Sequence, residues 1–270
     1  MIRLQVSLIP VATAANSAVL SGTTAIVFDV LRATSTIVTA LASGYRKVYP
    51  VEEADTALEL AHNYGFVPAG ERKGDKIPGF PHGNSPLEYI DGPESYQAGT
   101  LNNNGQQASD VLVLTTTNGT KAIHWAKPAH KVYTGALLNA RYVARAALQD
   151  GLDICLVCAG TAGGFSLEDT MGAGLVFMEI MRQLTGTDSG HQAADMAMDD
   201  LPIAAYELAR FYHHDLLSGL TTGLHGQRLL RLGRKADLQW CTQLNRYNIA
   251  PVFTGEFITV SDSLPPAMRQ

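Results

Sequence analysis

The stretch AIVFDVLRATSTI, residues 25–37, decides how the rest of the chain is read. Ala25, Ile26, Val27 and Phe28 make a short apolar run that ends at Asp29, with the length and composition of a buried strand. After Val30 and Leu31 come Arg32 and the hydroxyl cluster Thr34-Ser35-Thr36, then Ile37, Val38, Ala40 and Leu41 at helical spacing. A strand that closes on a carboxylate and turns into a helix gathers an acid, unpaired N–H groups and the positive end of a helix dipole. Such a junction suits an anion or a hard cation. It is equally the form of a plain strand–helix connection with a Ser or Thr cap.

Outward from this stretch, strands and helices alternate. Ile2, Leu4, Val6 and Leu8 interleave with Arg3, Gln5 and Ser7, the period of a first strand; Gln5, Ser7 and Pro10 interrupt what would otherwise resemble a secretory signal. Helices are predicted over 35–42, closing at Gly44, and over 52–63, with strands over 47–51 and 66–69. Residues 73–105 are dense in Gly, Pro, Asn and Ser yet carry Phe80, Leu87, Tyr89 and Ile90, which predicts an ordered loop folded over something. Further strands are expected at 111–114, 131–133 and 153–158, and helices from Lys121 and over 139–149, 167–184, 194–212 and 216–232. The last of these is interrupted by Gly219, Gly223 and Gly226. A polar loop at 186–192, a strand-like pattern around Pro251 and an exposed Pro-rich tail complete the chain. The alternation implies a three-layer α/β/α fold on a largely parallel or mixed sheet.

An internal repeat accompanies it. A shift of 84 residues (120 − 36) lays Val27 on Val111, Thr36 on Thr120 and Lys47-Val48-Tyr49 on Lys131-Val132-Tyr133. The expectation is one domain over 1–270 built from two similar halves, about 1–105 and 106–270.

Composition narrows the function. Hydrophobic residues are 46% and charged residues 17% of 270, enough for a core and too apolar for disorder. A net charge of −5 argues against a nucleic-acid binder, and no run is long and apolar enough to span a membrane. Three cysteines are too few for a disulfide scaffold; Cys155 and Cys158, three apart on a strand, point to opposite faces. A reducing, cytoplasmic setting is expected. Leu216, Leu217, Leu220 and Leu224 serve either a core helix or a homodimer interface.

In a parallel sheet, ligands bind beyond the carboxyl ends of the strands. Standing there are Asp29 and Arg32, Glu71 and Arg72, residues 116–120, and residues 160–169 with Glu168 and Asp169. Four carboxylates together raise one another's pKa unless a divalent cation intervenes, and oxygen ligands select Mg²⁺. Arginine forks and the amides around Asn118-Gly119 and Gly83-Asn84 suit phosphate, sulfonate or carboxylate oxygens. No GxxxxGK[ST] loop, nucleophile elbow or zinc-spaced His/Cys cluster occurs. The equipment is that of metal-assisted phosphoryl transfer or hydrolysis on a small anionic phosphorylated substrate.

DVLRATST (29–36), GERKG (70–74), GNSP (83–86), TTTNGT (115–120), CAG (158–160) and FSLEDTMGAG (165–174) together resemble the 2-phosphosulfolactate phosphatase family, more weakly so through His225-Gly226, Leu232-Gly233 and Asp237. The resemblance implies a Mg²⁺-dependent hydrolysis of 2-phospho-3-sulfolactate to 3-sulfolactate and phosphate, a step of coenzyme M biosynthesis. One departure is Pro81-His82, where the family often has an acidic residue before GNSP. Asp29 and Glu71, with Glu168 and Asp169, are the expected metal ligands, Asp169 either directly or through water. Arg32 and Arg72 are expected to clamp the anionic groups, and Asn84, Ser85, Thr117, Asn118, Gly119, Thr120 and Gly160 to bind the remaining oxygens. Water and Asp29 itself both qualify as nucleophile. The alternatives are a phosphatase of another small phosphorylated 2-hydroxy acid and a non-catalytic sensor of a phosphorylated ligand.

Overall fold

A computed structural model describes residues 4–97, 109–186 and 196–260; most of the expected polar loop and the Pro-rich tail lie outside the described residues. In chain order the elements are β1 (Leu4–Ile9), β2 (Thr24–Phe28), α1 (Ala33–Ala42), β3 (Lys47–Val51), α2 (Ala54–Tyr64), β4 (Val67–Arg72), β5 (Asp75–Lys76), α3 (Gly92–Gln97), β6 (Val111–Thr115), α4 (Gly119–Trp125), β7 (Lys131–Gly135), α5 (Ala140–Gln149), β8 (Ile154–Cys158), α6 (Leu167–Thr185), β9 (Met196–Met198), α7 (Asp200–Tyr212), α8 (Leu216–Thr222), α9 (Leu224–Arg231), α10 (Lys235–Cys241), β10 (Pro251–Phe253) and β11 (Ile258–Val260).

All five residues of β2 are buried. Ala25 and Val27 enter one core cluster while Ile26 and Phe28 enter another, so the unbroken apolar run is what a strand covered on both faces requires. Cys155 and Cys158 divide between the same two clusters, on opposite faces as their spacing predicts, and all three thiols are free and buried. The expected Ser or Thr cap of α1 is not used. Arg32 occupies the cap position without a capping bond, and Asp29 takes the free amides instead: Ala33 N–H donates to Oδ1 at 3.3 Å and Thr34 N–H to the main-chain oxygen at 2.9 Å.

Among the described residues a single sheet runs β5-β4-β6-β3-β11-β10-β7-β2-β8-β1-β9. It contains two parallel blocks, β4-β6-β3 and β7-β2-β8-β1-β9, joined through the hairpin β10–β11, which is antiparallel to both β7 and β3. Exchanging β2, β3 and β4 for β6, β7 and β8 maps β4-β6-β3 onto β8-β2-β7. That is the arrangement two successive β-α-β-α-β units adopt when each sends its first strand into the other's block. The matched Lys-Val-Tyr triplets open β3 and β7.

Helices cover both faces. One cluster joins Val27 and Val157 of the larger block to Val48, Leu112 and Leu114 of the smaller, with Ile37 and Leu41 of α1 and Ile123 of α4. These two helices therefore lie between the blocks and pack on both, which draws the carboxyl ends of β2 and β6 together. On the other face, α5 and α6 cover Ile26, Phe28 and Leu156, and Ala57 of α2 packs with Val113 of β6 and Phe80. The α/β reading holds.

The long segment after β4 is ordered where described, with a 3-10 turn at Pro86–Tyr89 and Tyr89 fully buried. The helix expected over 216–232 divides into α8 and α9 at Gly223, whose backbone is extended. Of the leucines considered for an interface, Leu220 is wholly buried and Leu216 and Leu217 pack against the core, whereas Leu224 is exposed. No helix among the described residues is long and apolar enough to cross a membrane.

Candidate active site

A cavity of about 340 Å³ opens where β2, β4 and β6 end. Its wall contains Asp29 and Arg32 after β2, Glu71 at the end of β4, Asn84, and Thr117 and Asn118 before α4. Lys73, Gly74, Thr161 and Ala162 complete it from neighbouring turns, and His225 and Arg228 from α9. Asp29 and Glu71, which arrive from different blocks of the sheet, thus share one space.

Asp29 is 8% exposed. Burial raises its carboxyl to about 7, with the charges of Glu71 and Glu168 adding to the rise and the Ala33 amide and Arg32 opposing it. Gly119 stands directly against it: a Cβ there would lie 2.7 Å from Asp29 Oδ2 and 2.5 Å from the Ala33 Cβ, so only glycine lets α4 approach this closely. Glu71 is also buried. Its Oε1 accepts from Thr117 N–H (2.8 Å) and Oγ1 (2.9 Å), and Oε2 from Gly74 N–H (2.6 Å). Asn84 is 5% exposed, and its Oδ1 is buried without a hydrogen-bond partner. An orphaned amide oxygen on the cavity wall is an unusual cost, since such groups are nearly always satisfied.

The remaining expected residues are placed differently. Arg32 lines the cavity, but Nη1 pairs with Asp237 Oδ2 at 2.5 Å and Nη2 donates to Gly74 O at 2.9 Å. Ser85 lies behind it, donating to Asp237 Oδ1 at 2.7 Å. The Arg72 guanidinium turns away and donates to Glu71 O, Glu52 O and Thr115 Oγ1. Thr120 is buried and exchanges hydrogen bonds with Thr116. Glu168 and Asp169 sit beneath the cavity, not on its wall. Asp169 Oδ1 accepts from Val30 N–H (2.8 Å) and Oδ2 from Gly160 N–H (3.1 Å). Burial, with Asp29 and Glu168 nearby, holds the Asp169 carboxyl well above the ordinary range, and burial raises that of Glu168 as well.

Four carboxylates around one ion are therefore not what the chain assembles. Among the described residues no three His, Cys, Asp or Glu side chains stand together as a metal cage. Mg²⁺ does not need such a cage, because it keeps several waters and takes one or two carboxylates together with substrate oxygens. Asp29, Glu71 and the unpartnered Asn84 Oδ1 meet that requirement, and the donor set fits.

Lys73, His225 and Asp237 entered the sequence reading only as positions of resemblance without a role, and Arg228 did not enter it. Three of them come from the C-terminal helices, which reach the cavity only through tertiary packing. His225 is half-buried; burial, with Arg32 and Arg228 adding to it, lowers its pKa, and Glu71 opposes. The balance favours the neutral ring. Pro81 and His82, the departure from the usual acidic position, are not on the cavity wall.

Comparison with known proteins places the chain in a family. A family model described as 2-phosphosulpholactate phosphatase matches residues 10–256. A protein of Symbiobacterium thermophilum named a probable 2-phosphosulfolactate phosphatase is 40% identical over 238 residues, 87% of this chain and 93% of the relative. Proteins of the same name from Caldanaerobacter subterraneus subsp. tengcongensis and Nostoc punctiforme are 37% identical (87% of this chain, 90% of the relative) and 36% identical (84% and 87%). With a family match over nearly its whole length and relatives at 36–40% identity, the chain belongs to the 2-phosphosulfolactate phosphatase family.

Proposed function

We propose that the protein is a Mg²⁺-dependent phosphoric monoester hydrolase acting on 2-phospho-3-sulfolactate, releasing 3-sulfolactate and phosphate in the cytoplasmic synthesis of coenzyme M. The observation that carries this reading is that Asp29, Glu71 and Asn84, whose Oδ1 is without a hydrogen-bond partner, line one cavity together with cationic side chains. Asp29, Glu71 and Asn84 would hold the ion. Bound there, Mg²⁺ supplies Lewis acidity to the phosphoryl oxygens and offsets the charge that builds up in hydrolysis.

The chain's own residues do the rest. Glu71 is fixed by three donors, and Asp29 by the first amide of α1, so neither carboxylate must reorganise when substrate enters. Thr117 and Asn118, at the start of α4, bring polar groups to the same wall. His225 lines the same cavity, and burial, which lowers its pKa, favours the neutral imidazole that can take up or release a proton.

The test is phosphate release from 2-phospho-3-sulfolactate by the purified protein, with Mg²⁺ and with EDTA. Release that EDTA abolishes, and that Asp29→Asn lowers by about a thousandfold or more, is expected. Rapid release from phospholactate but not from phosphosulfolactate would move the substrate to another 2-phospho acid. Tight binding without release would make the protein a sensor.

A further inference from the structure

Both arginines expected to clamp the substrate are committed to the protein. Arg32 is neutralised by Asp237, and the Arg72 guanidinium is taken up by two carbonyls and a hydroxyl. Two other cations stand on the cavity wall, Lys73 and Arg228. Neither makes an ion pair among the described residues.

The backbone around Lys73 is built with care. Glu71 pairs with Lys76 and Arg72 with Asp75, so Lys73 and Gly74 are the central residues of a two-residue hairpin. Both have positive φ, +57° and +89°, the form in which Asn, Asp and Gly are favoured at the first position. A lysine there is poor turn chemistry. Cavity residues pin the turn at three points: Glu71 Oε2 accepts from Gly74 N–H, Arg32 Nη2 donates to Gly74 O, and Arg228 Nη2 donates to Lys73 O at 2.6 Å. That last bond ties α9 to the turn and brings the Arg228 guanidinium to the main chain of Lys73. Arg228 Nε and Nη1 are not used in it, and their N–H groups remain as donors.

We propose that Lys73 and Arg228 form a second-anion subsite, selecting phosphate esters that bear a further sulfonate or carboxylate over esters that do not. Acids and cations share the cavity wall, and their opposite charges orient the substrate. Asp29 and Glu71 repel a bare acid group, so the phosphoryl end must take the side where a cation is held, leaving the second acid to the rim. A cavity of about 340 Å³ has room for both ends of a small ester, so both can be read in one molecule. This inference rests on the phosphatase reading and names what that same site selects.

The experiment compares wild type with Lys73→Gly and Arg228→Met. Lys73→Gly removes the charge while suiting the left-handed turn, so misfolding does not confound it. Phosphate release is followed from 2-phospho-3-sulfolactate and from isopropyl phosphate, which lacks a second acid, and 3-sulfolactate binding is titrated separately. For each variant the preference in kcat/KM for the two-acid ester should fall about tenfold or more, mainly through KM, and 3-sulfolactate affinity should fall with it. An equal change on both esters, or an unchanged preference, overturns the subsite. If wild type hydrolyses neither ester, the phosphatase reading fails, and the titration alone decides: 3-sulfolactate binding that weakens in both variants keeps the subsite, and unaltered or undetectable binding removes it.

Discussion

Arg32 Nη1 and Asp237 Oδ2 form a buried ion pair, although 205 positions separate them in the chain. Ser85 bonds the other oxygen of Asp237, so α10 anchors both the strand–helix junction after β2 and the loop that carries Asn84. Asp237→Ala leaves a guanidinium buried without its counter-charge. Urea unfolding should show a loss of about 3–5 kcal/mol, and Arg32→Met combined with Asp237→Ala should cost less than the sum of the two. A loss below about 1 kcal/mol for Asp237→Ala, the range of exposed pairs, would show that the pair is solvated.

Gly119→Ala places a methyl against Ala33 and the Asp29 carboxylate, both closer than packing allows. A destabilisation of about 1–3 kcal/mol is expected, together with a fall in turnover, since Asp29 must move. Adding Ala33→Gly relieves one of the two clashes and should restore part of the stability. If thermal unfolding of the single variant matches wild type, the close approach of α4 to Asp29 is wrong.

The carboxyl of Asp29 carries a pH signature. In the unfolded chain it titrates near 3.8 and in the folded chain at about 7, so between these values the folded state holds more protons. Stability therefore falls as pH rises from about 4 through about 7. Protein stripped of divalent cations should show this decline in denaturant titrations, and Asp29→Asn should flatten it. An unaltered slope in the variant would assign the effect to other groups.

Asp169 serves two backbone amides, Val30 and Gly160, and it is absent from the cavity wall. Asp169→Asn turns an amide donor toward one of those N–H groups, which should cost about 1–3 kcal/mol. Mg²⁺ affinity, measured by titration calorimetry, should change little beside the effect of Asp29→Asn. A loss of affinity as large in Asp169→Asn as in Asp29→Asn would make Asp169 a ligand.

Much of this was legible in one dimension because the signals are local. Strand–helix alternation and the polarity of strand ends pointed to Asp29, Glu71, Thr117 and Asn118, and the dense loop to Asn84. The repeat offset of 84 matched the openings of β3 and β7. What local pattern could not express was partnership. Arg32 and Arg72 read alike as free cations until Asp237 and the Glu52 carbonyl met them from far along the chain. Glu168 and Asp169 read as ligands because they follow a strand end, yet the amides of Val30 and Gly160 take the Asp169 oxygens. Lys73 stood inside a recognised motif, but its left-handed backbone is visible only once β4 and β5 pair. His225 and Arg228 lie on α9, which the sequence marks only by its glycines and by the weak resemblance at His225-Gly226.

The exchanged strand order has a consequence for synthesis. β2 is flanked by β7 and β8, and β6 by β3 and β4, so neither block can complete its core from one unit's strands. A nascent chain must carry β2 without any lateral neighbour until residues through Gly135 have emerged from the ribosome, and without its second until Cys158 has. During that interval its apolar edges are open to strangers, and a polypeptide cut between the two units has no finished sheet to fall back on.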